Sequence, residues 1–144
     1  MHQELRITNE ARNLSLVRSI LSDFIAESPF PASDRNRIIL AVDEAIANVV
    51  EHAYGSERGM IHITFDTDEE RLEVSVCDHG INFSPSEVKT PDLKEHVRLG
   101  LKGGLGMFLM RRVMDEVRYS TTTNFVNHLS MVKYFPSQDN EDQS

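Results

Sequence analysis

The run IILAVDEAIANVVEHAYG sets Glu44, Asn48 and His52 four residues apart. A helix brings side chains at that spacing back to within roughly 40° of one another, so a carboxylate, an amide and an imidazole share one stripe, with Glu51 at its edge. Ile38, Val42, Ala45, Val49 and Ala53 fill the adjoining face, which puts the stripe beside a core. A carboxylate in that position can orient or deprotonate an attacking hydroxyl. An amide oxygen is a hard, neutral ligand for a Mg²⁺ that keeps most of its waters and leans on substrate phosphates. A satisfied polar pair bordering the core is the structural alternative. His52 has two readings as well, a favourable contact with the negative end of the helix dipole or a contact with phosphate.

Two more groups have chemistry to offer. In DHGINF, Asp78 can accept a hydrogen bond from an exocyclic amine such as that of adenine, and Gly80 lets the backbone turn closely against a ring; Asp-x-Gly is also an ordinary turn. In GLKGGLGMFLM, Gly103, Gly104 and Gly106 lead into a helix, where free N–H groups and the dipole can receive phosphate. No Gly-Lys-Ser/Thr makes this a Walker A loop, and Gly104-Leu105-Gly106 lacks the third glycine and the βαβ setting of a dinucleotide fingerprint. His2, His62, His79, His96 and His128 show no metal-ligand spacing, which argues against zinc.

These groups need elements to carry them. Alternation in ELRIT gives a first strand. Thr8 or Asn9 then caps a helix with apolar residues Leu14, Val17, Leu21, Phe24 and Ile25 at helical spacing, which SPFPAS ends. Ser33 or Asp34 caps the second helix and Gly55 stops it. MIHITFD and RLEVSVCD form a hairpin across TDEE. Residues 81–102 are polar with two prolines and read as a functional lid. GGLGMFLMRRVMDEV opens a third helix, in which Arg111 and Arg112 are solvated or paired with Asp115 and Glu116, and VRYSTT and HLSMVKYF close the chain as strands. This order gives an α/β (α+β) two-layer sandwich with a mostly antiparallel, mixed sheet and helices on one face.

The chain has 144 residues, 40% of them hydrophobic and 26% charged, which suits a single domain over 1–136 followed by a disordered acidic tail at 137–144. A net charge of −8 disfavours nucleic acid and anionic membrane as partners. There is no long apolar run and no signal-peptide pattern, and the lone Cys77, expected as a packed core thiol, fits a reducing compartment. A cytoplasmic protein is expected.

With these residues in place the chain resembles the GHKL ATPase superfamily, the Bergerat-fold group of gyrase, histidine kinases and MutL. Glu44-x-x-x-Asn48 looks like its N box, Asp78-x-Gly80-x-x-Phe83 its G1 box and Gly104-x-Gly106 its G2 box. Small size, two helices before the hairpin and no phosphoacceptor helix make it most similar to the anti-sigma-factor serine/threonine kinases of the RsbW type. The resemblance implies binding of ATP/ADP with Mg²⁺, sequestration of a sigma factor, phosphorylation of a STAS-domain anti-anti-sigma factor, and a homodimer. It implies Glu44 as general base, Asn48 on Mg²⁺, Asp78 on adenine with Gly80 and Phe83 beside it, and the backbone from Gly103 through Leu105 to Gly106 on phosphates. Lys102 would neutralise γ-phosphate charge, as a point charge where an Arg would fork onto two oxygens. Many relatives begin the late strand with Gly-Thr. Here Val126-Asn127 stands there, and Asn127 can donate a hydrogen bond toward nucleotide. A nucleotide-responsive binding module without phosphoryl transfer is the competing reading.

Overall fold

The computed structural model describes residues 1–52, 58–79, 109–121 and 126–136. Its elements are β1 (His2–Thr8), α1 (Asn13–Ile25), α2 (Ala32–His52), β2 (Met60–Thr67), β3 (Arg71–Asp78), β4 (Glu116–Thr121) and β5 (Asn127–Tyr134), with a helical segment at 109–113. The five strands form one sheet in the order β1-β2-β3-β5-β4, and all four pairings are antiparallel. The α/β two-layer arrangement is as expected, with no parallel pair among the described strands.

Period-two alternation decides which face of the sheet is buried. Ile61, Ile63 and Phe65 of β2, Leu72, Val74 and Val76 of β3, and Leu129 and Met131 of β5 all enter one core. Val17, Leu21 and Ile25 of α1, Ile38, Val42, Ala45, Ile46 and Val50 of α2, and Met110 and Met114 cover them. Both helices therefore lie on the same face. The other face carries His62, Thr64, Arg71, Glu73, Ser75, His128 and Ser130, half-buried and polar. Ile63 is fully buried in the middle of β2, and Ile63→Val should cost about 0.5–1.5 kcal/mol, read as a lower urea midpoint at unchanged slope.

Several local expectations need correction. The first strand begins at His2, two residues before ELRIT, because its register with β2 runs out to His2↔Asp66. Neither Thr8 nor Asn9 caps α1. Asn9 is committed to Gly59, donating its N–H to the Gly59 carbonyl (3.1 Å) and accepting the Gly59 N–H on Oδ1 (3.0 Å). The helix starts only at Asn13, whose side-chain amide reaches back to the Thr8 carbonyl and hydroxyl at 3.0 and 2.9 Å. In α2, Ser33 and Asp34 lie inside the first turn, since the Pro31 carbonyl already accepts the Arg35 N–H at 2.9 Å. The negative charge of Asp34 suits the positive end of the dipole there.

Cys77 is not in the core. Alternation that buries Leu72, Val74, Val76 and Asp78 turns Cys77 to the outer face, where it is half-buried. Burial and then the neighbouring Asp78 charge push its thiol above the usual range, which disfavours the reactive thiolate. The third helix also ends earlier than expected, because Asp115 donates its N–H to the Val132 carbonyl (2.8 Å) and Glu116 starts β4. Asp115 and Glu116 find partners in the sheet: Asp115 takes Lys133 and the Tyr134 N–H, while Glu116 takes the Tyr134 hydroxyl and Arg118. The expected Gly55 stop, the lid at 81–102 and the tail at 137–144 fall outside the described residues.

Candidate functional site

Helix α2 carries two adjacent carboxylates with different fates. Asp43 accepts Arg18 of α1 through both oxygens, each at 3.0 Å from Nη2, with Nε at 3.2 Å from Oδ1. One residue along a helix is a rotation of about 100°, so Glu44 is turned away from the face that α1 occupies. Glu44 is half-buried. Asn48, also half-buried, lies one turn further on the same flank. Of the residues expected to form the adjoining apolar face, Ile38, Val42 and Ala45 are buried and Val49 is half-buried against the core, while Ala53 lies outside the described residues. His52 ends the helix, and its side chain lies outside the described residues.

Asp78 ends β3 and is 4% exposed; Asn127 begins β5 and is 3% exposed, and these two are the buried polar residues of the described core. The register sets Asp78 opposite Asn127, and Asn127 opposite Thr121 at the end of β4. Their side chains join along that row: Asn127 Nδ2 donates to Asp78 Oδ1 at 2.8 Å, and the Thr121 hydroxyl donates to Asn127 Oδ1 at 2.9 Å. From the sequence, Asn127 is a donor toward nucleotide; in the fold its amino group reaches the Asp78 carboxylate. Tyr119 stands two residues before Thr121 on the same strand face, and burial followed by the Asp78 charge pushes its phenol up, while a hydrogen bond with Thr121 pulls the other way.

The two clusters share one end of the molecule. Only seven residues separate His52, the last of α2, from Met60, the first of β2. Ile61 at the start of β2 pairs with Asp78. The C-terminal half of α2, with Asn48, therefore heads toward the sheet end that holds Asp78, Asn127 and Thr121. Gly80, Phe83, Lys102, Gly103, Gly104, Leu105 and Gly106 lie outside the described residues. Thr121 was missed by sequence reasoning. The available signal was its place two residues beyond Tyr119 in VRYSTT, but its partner depends on β5 inserting between β3 and β4.

A magnesium ion implied by the site chemistry can be tested against the donors present. Among the described residues no three His, Cys, Asp or Glu side chains form a group that could hold a metal. Asn48 offers a single hard oxygen, which fits an ion that brings the rest of its shell as water and phosphate.

A two-layer sandwich with an antiparallel sheet, an acidic and amide-bearing helix over one end, and a buried aspartate at that end describe an ATPase domain. The model of the histidine kinase-like ATPase domain matches residues 7–133, and the chain belongs to that family. Within it the chain is of the RsbW serine-protein kinase type. It is 31% identical to the serine-protein kinase RsbW of Staphylococcus epidermidis over 141 residues, covering 94% of this chain and 87% of that one. With the Bacillus mycoides RsbW it shares 30% identity over 119 residues, 80% of this chain and 74% of the other. Among solved structures, the RsbU and RsbW domains of a Mycobacterium tuberculosis protein superpose with a TM-score of 0.58 at 18% identity, over 94% of this chain. This chain spans 34% of that one, and the likeness is one of fold.

Proposed function

We propose that the chain is an ATP-dependent anti-sigma factor kinase of the cytoplasm, acting as a homodimer, that holds a sigma factor and phosphorylates a serine or threonine of a STAS-domain antagonist. The observation that carries this reading is the placement of Glu44: a half-buried carboxylate one turn before Asn48, turned away from the Arg18 pair that occupies Asp43. A module that only sequesters a partner needs no such base. Kinship with serine-protein kinases over nearly the whole chain supports the reaction class.

In this mechanism Glu44 accepts the proton of the partner hydroxyl as that oxygen attacks the γ-phosphorus of ATP, and the β–γ bridging bond breaks to release ADP. Asn48 would hold Mg²⁺, which supplies charge neutralisation on the phosphates when bound. Asp78 accepts the exocyclic amine of adenine. Its buried setting makes that contact discriminating, because a base without the amine leaves buried polar groups unpaired. Mass spectrometry of a STAS partner incubated with Mg-ATP tests the reading; a stable nucleotide-dependent complex without added phosphate would replace it with a sequestering module.

The Asn127 bond sharpens what Asp78→Asn should do. Asn127 presents its amino group to this position, so the new amide turns its carbonyl toward Asn127 and its NH₂ to the other side. An acceptor for the adenine amine becomes a donor. ATP affinity should fall by about 1–3 kcal/mol, with GTP, whose O6 accepts, spared or improved. Calorimetric titration with both nucleotides checks this, and equal weakening would remove adenine from the role of Asp78.

A further inference from the structure

The row Thr121–Asn127–Asp78 contains a directional constraint. A primary amide has one donor end and one acceptor end. An ionised carboxylate accepts only, so the Asn127 amino group must face Asp78, as it does at 2.8 Å. The amide oxygen is then committed to the β4 side, where a donor has to meet it. Asn127 is 3% exposed, so bulk water is a poor substitute. Thr121 supplies that donor at 2.9 Å. The carboxylate sets which way round the Asn127 amide sits; the Thr121 hydroxyl, donating to the amide oxygen, holds the amide plane there, and the amide in turn anchors Asp78 Oδ1 and so restrains rotation of the carboxylate.

We propose that Thr121 is a positioning residue for nucleotide-base recognition, acting through Asn127 to aim the Asp78 carboxylate. This rests on the reading of Asp78 as acceptor for the adenine amine. Three strands contribute one residue each, and the sheet order makes the chain possible: β5 lies between β3 and β4, so the middle member of the row touches both neighbours. The position is a specificity device because it acts on an orientation. Without the hydroxyl, the Asn127 oxygen is left unpaired, the amide plane is held at one end only, and its amino group no longer holds the carboxylate in a single orientation. A carboxylate out of plane loses its contact with the adenine amine, while guanine, which makes no such contact, is little affected. A purely structural Thr121 would lower stability and leave the preference between the bases untouched.

The test pairs Thr121→Val, which keeps shape and removes the hydroxyl, with Thr121→Ser, which keeps the hydroxyl. ATP and GTP affinities are measured by competition, alongside thermal unfolding and with Asp78→Asn as a reference. Thr121→Val should weaken ATP about 3- to 30-fold and GTP no more than about twofold, and Thr121→Ser should stay within about twofold of the parent for both. If valine perturbs the edge strand, Thr121→Ala read below its unfolding transition replaces it. A parental ATP-to-GTP ratio in the Thr121 variants, with Asp78→Asn having lost discrimination, overturns the role of Thr121 and leaves the Asp78 reading standing. An unchanged ratio in Asp78→Asn itself overturns both.

Discussion

Replacing Glu44 by alanine should lower phosphoryl transfer about 10²- to 10⁴-fold, or roughly 3–5 kcal/mol in the barrier, with ATP affinity nearly unchanged. The attacking hydroxyl is a poor nucleophile while it holds its proton, and in the proposed mechanism the carboxylate accepts that proton during bond formation. In the ground-state nucleotide complex the same carboxylate contributes little, so the loss falls on turnover and not on binding. Asp43 supplies the internal control. It is one residue away and carries the same charge, but it is tied to Arg18 across the helix pair. The Arg18 side chain is 52% exposed, and exposed pairs of this kind contribute at most about 1 kcal/mol, so Asp43→Ala should cost a little stability and leave transfer intact. Single-turnover transfer at saturating Mg-ATP separates the two variants. Transfer by Glu44→Ala within a few-fold of the parent would take the base assignment away from this residue.

The contrast between Asp43 and Glu44 is partly legible in the chain itself. Helical spacing puts Glu44 and Asn48 together and sets Asp43 apart. It does not say that Arg18, twenty-five residues earlier, will claim Asp43. The strands were readable for a similar reason: Leu72, Val74 and Val76 alternate with polar residues, so one face of RLEVSVCD had to be buried. Followed one step further, the same alternation places Asp78 on the apolar face and Cys77 outside. A carboxylate on a core face is itself a sign of a site.

Caps and partners were less legible because they depend on contacts distant in sequence. Asn9 has the chemistry of a helix cap, but Gly59 offers it two hydrogen bonds in sheet register, and a cross-strand rung prevails over a cap. Asn127 likewise reads as a donor without a stated acceptor until the register sets it against Asp78, forty-nine residues away. Local pattern specifies which face a residue takes. Which residue it meets there is set by strand order.

Asn48→Ala separates metal from base. Removing the amide should abolish the Mg²⁺ dependence of ATP binding and lower transfer on the order of 10³-fold, because Asn48 is the hard oxygen donor on the Glu44 flank and the described residues hold no carboxylate cluster to replace it. The two variants then differ in kind. Glu44→Ala keeps a magnesium-sensitive affinity and loses chemistry, whereas Asn48→Ala loses both together. Calorimetry with Mg-ATP against ATP in chelator reads the difference, and manganese, which tolerates altered ligand sets better than magnesium, should recover part of the Asn48→Ala loss. An Asn48→Ala protein whose ATP affinity still rises with added magnesium as in the parent would return this side chain to a structural role at the edge of the α2 core.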